Sequence, residues 1–176
     1  MSGAAGGASD GEPGRAAPGT DSPRVFFPPP LVYLAAFGIA YWVDRWGLPM
    51  PLSLGLGERI GWLAPAGGLL VGLGLVLDLL ALERFRRSAT SALPFRPASA
   101  FVARGPYRWT RNPMYLGMTL LFAGFGLLLD SAWVVLAALV AALAIDRWVI
   151  PREERYLARR FGASYLDYVS RVRRWL

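Results

Sequence analysis

Two charged clusters in this chain carry side chains able to do chemistry. The first lies in Arg104–Gly117, RGPYRWTRNPMYLG, a polar loop punctuated by Gly105-Pro106 and Asn112-Pro113 that runs straight into an apolar segment. The second is Arg152-Glu153-Glu154-Arg155, just beyond the next apolar segment. The planar guanidinium of Arg111 or Arg108 can grip a carboxylate or phosphate through paired hydrogen bonds. Arg beside an apolar span is also a topology signal. Glu153 and Glu154 either neutralise Arg152 and Arg155 or hold a cationic group such as an α-ammonium. Tyr107, Trp109 and Tyr115 offer ring faces to a purine or an onium centre, or else form an aromatic belt at a membrane interface. Arg111, Glu153 and Glu154 are the candidate catalytic residues.

The chain contains neither Cys nor His. Disulfides, Cys/His zinc sites, thiolate nucleophiles and imidazole acid–base chemistry are thereby excluded. All 19 basic residues are Arg, and the net charge is +7. Most of these Arg residues flank apolar runs, as expected for a membrane surface with anionic lipid rather than for nucleic acid.

The elements that must position the clusters are read from the apolar runs. Hydrophobic residues make up 55% of the 176-residue chain and are concentrated in long stretches, which indicates a membrane protein. Residues 1–24, rich in Gly, Ala, Pro and Ser, are expected to form a disordered tail, with no apolar region of a signal peptide. Residues 25–176 then form one domain. Four apolar segments are expected at 31–46, 60–82, 113–129 and 132–150. Gly68 and Gly72 in the second are spaced for close helix approach or belong to a plain apolar helix. Asp78 is either interfacial or a polar contact inside the bundle. Positive charge gathers in the loop 83–112 and in the C-terminal tail, so both termini and the site are expected on the cytoplasmic side.

Only Asp130 and Ser131 separate the last two segments, which must form an antiparallel hairpin. Positions equidistant from that turn lie at similar depth. Arg111 is level with about Ile150, and Tyr107 with about Glu154, both about 25–30 Å from the turn at ~1.5 Å per residue. The two clusters therefore meet. Beyond them, Arg152 to Phe161 is helical and Gly162 suits a stop. Ser164 reads as an N-cap, with Asp167 three residues on. Apolar residues interleaved with Arg in this tail suit short amphipathic helices on the membrane surface. The expected fold is all-α: a polytopic membrane protein of about four transmembrane helices, with a C-terminal helical hairpin and short interfacial cytoplasmic helices.

The clusters together suit a zwitterion that has an aromatic base and a positive centre, of which S-adenosylmethionine is one. Methyl transfer from a sulfonium needs alignment and desolvation more than a metal or nucleophilic side chain. Gly105-Pro106-Tyr107, Arg111-Asn112-Pro113-Met114-Tyr115-Leu116-Gly117, Glu153-Glu154 and Phe161-Gly162-Ala163-Ser164-Tyr165-Leu166-Asp167-Tyr168 resemble the isoprenylcysteine carboxyl methyltransferase and phospholipid methyltransferase superfamily of integral membrane enzymes. The resemblance covers about residues 99–175. It implies S-adenosylmethionine as cofactor, contacted by Ser99, Ala100, Phe101, Val102, Tyr107, Asn112, Pro113, Met114, Tyr115 and Glu153. The sequence departs from the family pattern at Asn112, where a His is usual, and at Val149, where the prenylcysteine enzymes carry a substrate-binding Arg. Arg147 or Arg152 can substitute for the latter.

The resulting expectation is a membrane methyltransferase acting on a lipophilic small molecule or lipid-modified acceptor, most like an isoprenylcysteine carboxyl O-methyltransferase. A carboxylate acceptor is already nucleophilic, whereas an amine or thiol must first lose a proton. Phospholipid N-methylation and small-thiol S-methylation are the alternatives within the class. A sterol-type membrane reductase using a dinucleotide and a non-catalytic membrane protein are alternatives outside it.

Overall fold

Proline opens three of the helices, where the missing N–H costs nothing because the first turn lacks intrahelical acceptors. Pro29 and Pro30 start α1 (Pro29–Trp42), Pro113 starts α3 (Pro113–Leu128) and Pro151 lies in the first turn of α5 (Ile150–Phe161). The remaining helices are α2 (Leu63–Arg87), α4 (Ala132–Ala144) and α6 (Ala163–Arg171). The computed structural model describes residues 28–53, 61–87 and 102–176; the expected N-terminal tail lies outside them. No strand occurs among the described residues, which carry a single isolated bridge between Pro51 and Ser131. The fold is all-α, as the sequence implies.

Two helical stretches are long and apolar enough to cross a membrane: Leu63–Arg87 and Ala132–Phe161, the latter running through α4 and α5 without a break. Only 17% and 28% of their apolar windows are buried in the protein. Leu69, Leu73, Val76 and Leu79 of α2 and Leu136, Leu139, Val140 and Leu143 of α4 point outward. Helices that turn leucine outward are solvated by lipid, not water. The helix α3 is shorter and apolar.

Glycine sets the contact between α2 and α3. A Cβ at Gly67 would lie 2.9 Å from the Gly124 carbonyl oxygen, and one at Gly124 would lie 2.7 Å from the Gly67 carbonyl oxygen. Gly74 and Gly117 face each other two turns further along. The backbones touch because neither helix carries a side chain at these points. The expected pair, Gly68 and Gly72, does not mediate this approach, since nothing lies within 4 Å of a Cβ at either. The seven-residue spacing of Gly67 and Gly74, two helical turns, keeps both on one face.

The helix α1 packs along α4 and α3 through aromatic rings. Tyr33 stacks on Phe122 at 5.5 Å, Phe37 lies 5.6 Å from Phe122, and the Tyr33 hydroxyl is 2.6 Å from Thr119 Oγ1. At the far end, Asp130 adopts φ +52° in the turn between α3 and α4. Its carboxylate accepts from the Ser53 amide at 2.8 Å and the Ser53 hydroxyl at 2.6 Å. Ser131 caps α4 by accepting from the Val134 amide. The expected tight hairpin is present.

Two boundaries differ from expectation. The helix α2 continues past Leu82 to Arg87, its last turn held by a 2.7 Å Arg87–Glu83 pair at i, i+4. The cap of α6 is Gly162, at φ +52°, and not Ser164; the helix starts at Ala163. Gly162 thus ends α5 and begins α6, a reversal that a residue with a Cβ adopts only with strain.

Candidate functional site

The site assembles where α3 begins and the run through α4 and α5 becomes charged. Asn112 precedes Pro113, which disfavours helix for it, and it sits at φ −128° as the N-cap of α3. The Asn112 side-chain amide donates to the Arg174 carbonyl at 3.0 Å, and the Thr110 hydroxyl donates to the same oxygen at 3.0 Å. The Arg111 amide donates to the Arg173 carbonyl at 2.9 Å. The C-terminal segment therefore lies across the loop 110–112 and fixes it.

The two acidic residues have separate partners. Glu153 accepts a 2.6 Å hydrogen bond from the Tyr115 hydroxyl, which joins α5 to the first turn of α3. Glu154 pairs with Arg111 Nη1 at 3.1 Å and with Arg174 Nη2 at 2.7 Å. Arg174 also reaches Asp146 at 3.5 Å, and the Trp175 indole donates to Asp146 at 2.9 Å. A chain of alternating charges, Arg111–Glu154–Arg174–Asp146, results. It consumes Glu154 and leaves Glu153 without a cationic partner among the described residues.

Between α4 and α5 the helix widens into a π turn, Ile145–Val149. A wider turn spends more residues per unit of rise. Glu153 meets Tyr115, and Glu154 meets Arg111, later in sequence than simple α-helical counting from the hairpin turn predicts, and the π turn supplies only part of that offset. Such turns interrupt helices most often at functional sites.

The run Ala132–Phe161 is apolar through Ile145, carries Asp146 and Arg147 in its π turn and is densely charged from Arg152 onward, so Glu153 lies past its apolar part. Burial, the largest cause, pushes the Glu153 carboxyl up to about 7. The Tyr115 hydrogen bond opposes this shift and the Glu154 charge adds to it. Arg111 leaves its Nε buried with no hydrogen-bond partner. Tyr107, in the one-turn 3₁₀ helix Gly105–Arg108, is buried with Val102 and Ala81 and partly covered by Phe85 and Met114. Its carbonyl accepts from the Tyr168 hydroxyl at 2.7 Å, which docks α6 onto this turn. The Tyr107 hydroxyl has no hydrogen-bond partner among the described residues. Burial and the nearby Tyr168, Glu153 and Asp78 push its pKa well above the usual phenol range.

Of the residues singled out from sequence, Arg111, Asn112, Tyr115, Glu153 and Glu154 come together directly, with Val102, Tyr107 and Met114 in the adjoining cluster. Pro113 is buried at the start of α3. Ser99, Ala100 and Phe101 lie outside the described residues. Arg147 and Arg152 are exposed. The first sits 3.4 Å from Asp146, and the second donates to its own helix at the Trp148 carbonyl. Val149 packs against the core around Ile145 and Ile150. Sequence reasoning missed Asp146, Arg174 and Trp175. No motif spacing links residue 174 to residue 112, although the Arg-rich end of the chain was a signal of charge.

A family model described as "Phospholipid methyltransferase" matches residues 63–164. An uncharacterized protein of Haemophilus influenzae is 38% identical over 63 residues, 36% of this chain and all of that protein. Protein-S-isoprenylcysteine O-methyltransferase B of Arabidopsis thaliana is 29% identical over 116 residues, 63% of this chain and 57% of that protein. The Rattus norvegicus protein-S-isoprenylcysteine O-methyltransferase is 30% identical over 120 residues, 65% of this chain and 41% of that protein. The chain thus spans about half the length of the named relatives it matches.

Proposed function

The chain belongs to the phospholipid methyltransferase family, and on that premise we propose that it transfers a methyl group from S-adenosylmethionine to a lipophilic or membrane-delivered acceptor. The observation that carries this reading is the Tyr115–Glu153 hydrogen bond. It brings the Asn-Pro-Met-Tyr turn and the Glu-Glu pair, distant in sequence, to one place. The residues there fit the methyl donor. Glu153 is a carboxylate with no cationic partner among the described residues, suited to an α-ammonium. Arg111 Nε is a buried donor without an acceptor, suited to a carboxylate. Tyr107 presents a hydroxyl with no hydrogen-bond partner among the described residues. S-adenosylmethionine, when bound, supplies an electrophilic methyl on a sulfonium.

The chain's own residues then bind, orient and exclude water. Glu154 holds Arg111 in place through the 3.1 Å pair. Thr110 and Asn112 are tied to the C-terminal segment, so the loop that frames the donor is preorganised. Asn112 stands where the family's usual residue can titrate. Its amide is a hydrogen-bond donor here and takes no proton. A carboxylate acceptor needs no base, in keeping with the O-methyltransferase names of the relatives. The description of the family model favours a phospholipid amine instead; that acceptor must lose a proton before it attacks. Arg147 and Arg152, at the exposed rim, are the cations within reach of an anionic acceptor arriving from the surface. Charge placement supports four spans, with both termini and the site on the cytoplasmic face.

Calorimetric binding of S-adenosylmethionine and S-adenosylhomocysteine to detergent-purified protein tests the reading, with a reduced nicotinamide dinucleotide as comparison. Saturable binding of the first two alone is expected. Binding of the dinucleotide alone would move the protein to the reductase class, and binding of none would leave a non-enzymatic role.

A further inference from the structure

Asp78 is a carboxylate in the last apolar turns of α2, where an unpaired charge is costly and rarely kept without use. It lies one turn past Gly74 on the face of α2 that meets α3. Its Oδ1 is buried with no hydrogen-bond partner. It occupies the space that Gly117 leaves open: a Cβ at Gly117 would collide with Asp78 Oδ1. The packing therefore holds this oxygen against the first turns of α3, beside the turn that carries Met114 and Tyr115.

One turn further along α2, Ala81 is fully buried in the cluster that holds Tyr107 and Met114. The Tyr107 hydroxyl has no hydrogen-bond partner among the described residues, and the charges of Glu153 from α5 and Asp78 from α2 both raise its pKa. Asp78 Oδ1, buried and unsatisfied, therefore lies one helical turn from the cluster that adjoins Tyr115 and Glu153. A folded protein satisfies such groups with its own atoms, with water or with a ligand. The Glu154 carboxylate has two cationic partners, whereas Asp78 Oδ1 has no partner among the described residues.

We infer that Asp78 is a second carboxylate of the methyl-donor site, accepting a hydrogen bond from a hydroxyl or N–H group of the donor that Glu153 does not hold. The inference rests on the reading of this site given under Proposed function. It gives α2, which has no part in the motifs of the C-terminal half, a direct role in binding, and it gives Gly117 a reason to lack a side chain.

The test is the affinity of the full-length, detergent-purified protein for S-adenosylhomocysteine, in wild type and Asp78→Asn. Asn keeps the volume and removes the charged acceptor. A loss of about tenfold or more is expected, the size of one charge-assisted hydrogen bond. On wild-type protein, dicyclohexylcarbodiimide, which modifies carboxyls in apolar surroundings, provides a readout that needs no folded variant. S-adenosylhomocysteine is expected to protect Asp78 from labelling. Equal affinity in Asp78→Asn, or equal labelling with and without S-adenosylhomocysteine, overturns the assignment. If wild type itself fails to bind S-adenosylhomocysteine, the functional reading falls and takes the assignment with it. If wild type binds and Asp78→Asn binds equally, the assignment alone falls.

Discussion

Glu153 and Glu154 are neighbours in sequence and opposites in role. Glu154 is held between Arg111 and Arg174, whereas Glu153 accepts a hydrogen bond only from the Tyr115 hydroxyl among the described residues. With its carboxyl at about 7, Glu153 is largely protonated below that pH and ionised above it. A ligand that brings a positive group to Glu153 binds the ionised form. Affinity for S-adenosylhomocysteine is therefore expected to rise from pH 6 to pH 8, with proton release that calorimetry in buffers of different ionisation enthalpy will detect. Glu153→Gln should flatten that dependence and weaken binding by roughly 10- to 100-fold, the worth of a hydrogen bond to a charged group. Tyr115→Phe removes the hydrogen bond that favours the ionised carboxyl. The midpoint of the same pH profile should move to higher pH, an effect that a purely structural loss would not produce.

At the scale of elements, the contact between α2 and α3 depends on glycines whose role is invisible to a short motif. Gly67→Val or Gly74→Val would drive a side chain into the facing backbone. An overpacking cost of about 1–3 kcal/mol is expected, read as a lower thermal midpoint in detergent. Gly68→Val and Gly72→Val, which face open space, should leave that midpoint nearly unchanged. The C-terminal segment is a second such element. Arg174 contributes its carbonyl to Thr110 and Asn112 and its guanidinium to Glu154 and Asp146. Arg174→Ala keeps the backbone contacts and leaves two carboxylates short of a partner. A destabilisation of about 1–3 kcal/mol is expected, together with weaker binding of S-adenosylhomocysteine through the loosened Arg111. Deleting residues 173–176 removes both sets of contacts and should cost more than Arg174→Ala in the same two measurements.

For the whole molecule, the outward leucines of α2 and α4 predict that the protein stays with the membrane fraction through high-salt and alkaline washes and is released by detergent. Solubility after either wash would contradict the lipid-facing reading of these helices. The apolar runs at 60–82 and 132–150 were legible as helices because only a lipid environment tolerates that composition over that length. The meeting of the clusters was legible from the two-residue hairpin turn alone. The partners within the meeting were not: long side chains reach along the helices, and the π turn Ile145–Val149 also shifts the register, with nothing in the letters Ile-Asp-Arg-Trp-Val to announce it. The cap at Gly162 was misplaced to Ser164 because a serine before a helix is the common pattern. Here the chain reverses at a single residue of positive φ instead.

The sequence by itself determined the class of structure, the family and that the two charged clusters meet beyond the hairpin. Each of these follows from local composition or fixed spacing: apolar length, Gly-Pro and Asn-Pro turns, and Glu-Glu after an apolar helix. Only the tertiary structure decided which acid is neutralised and which is left for a ligand. It also decided which glycines bring α2 onto α3, and that the C-terminal segment holds the loop 110–112. Those outcomes depend on contacts between positions 20 to 64 residues apart, where packing geometry rather than residue type selects the partner.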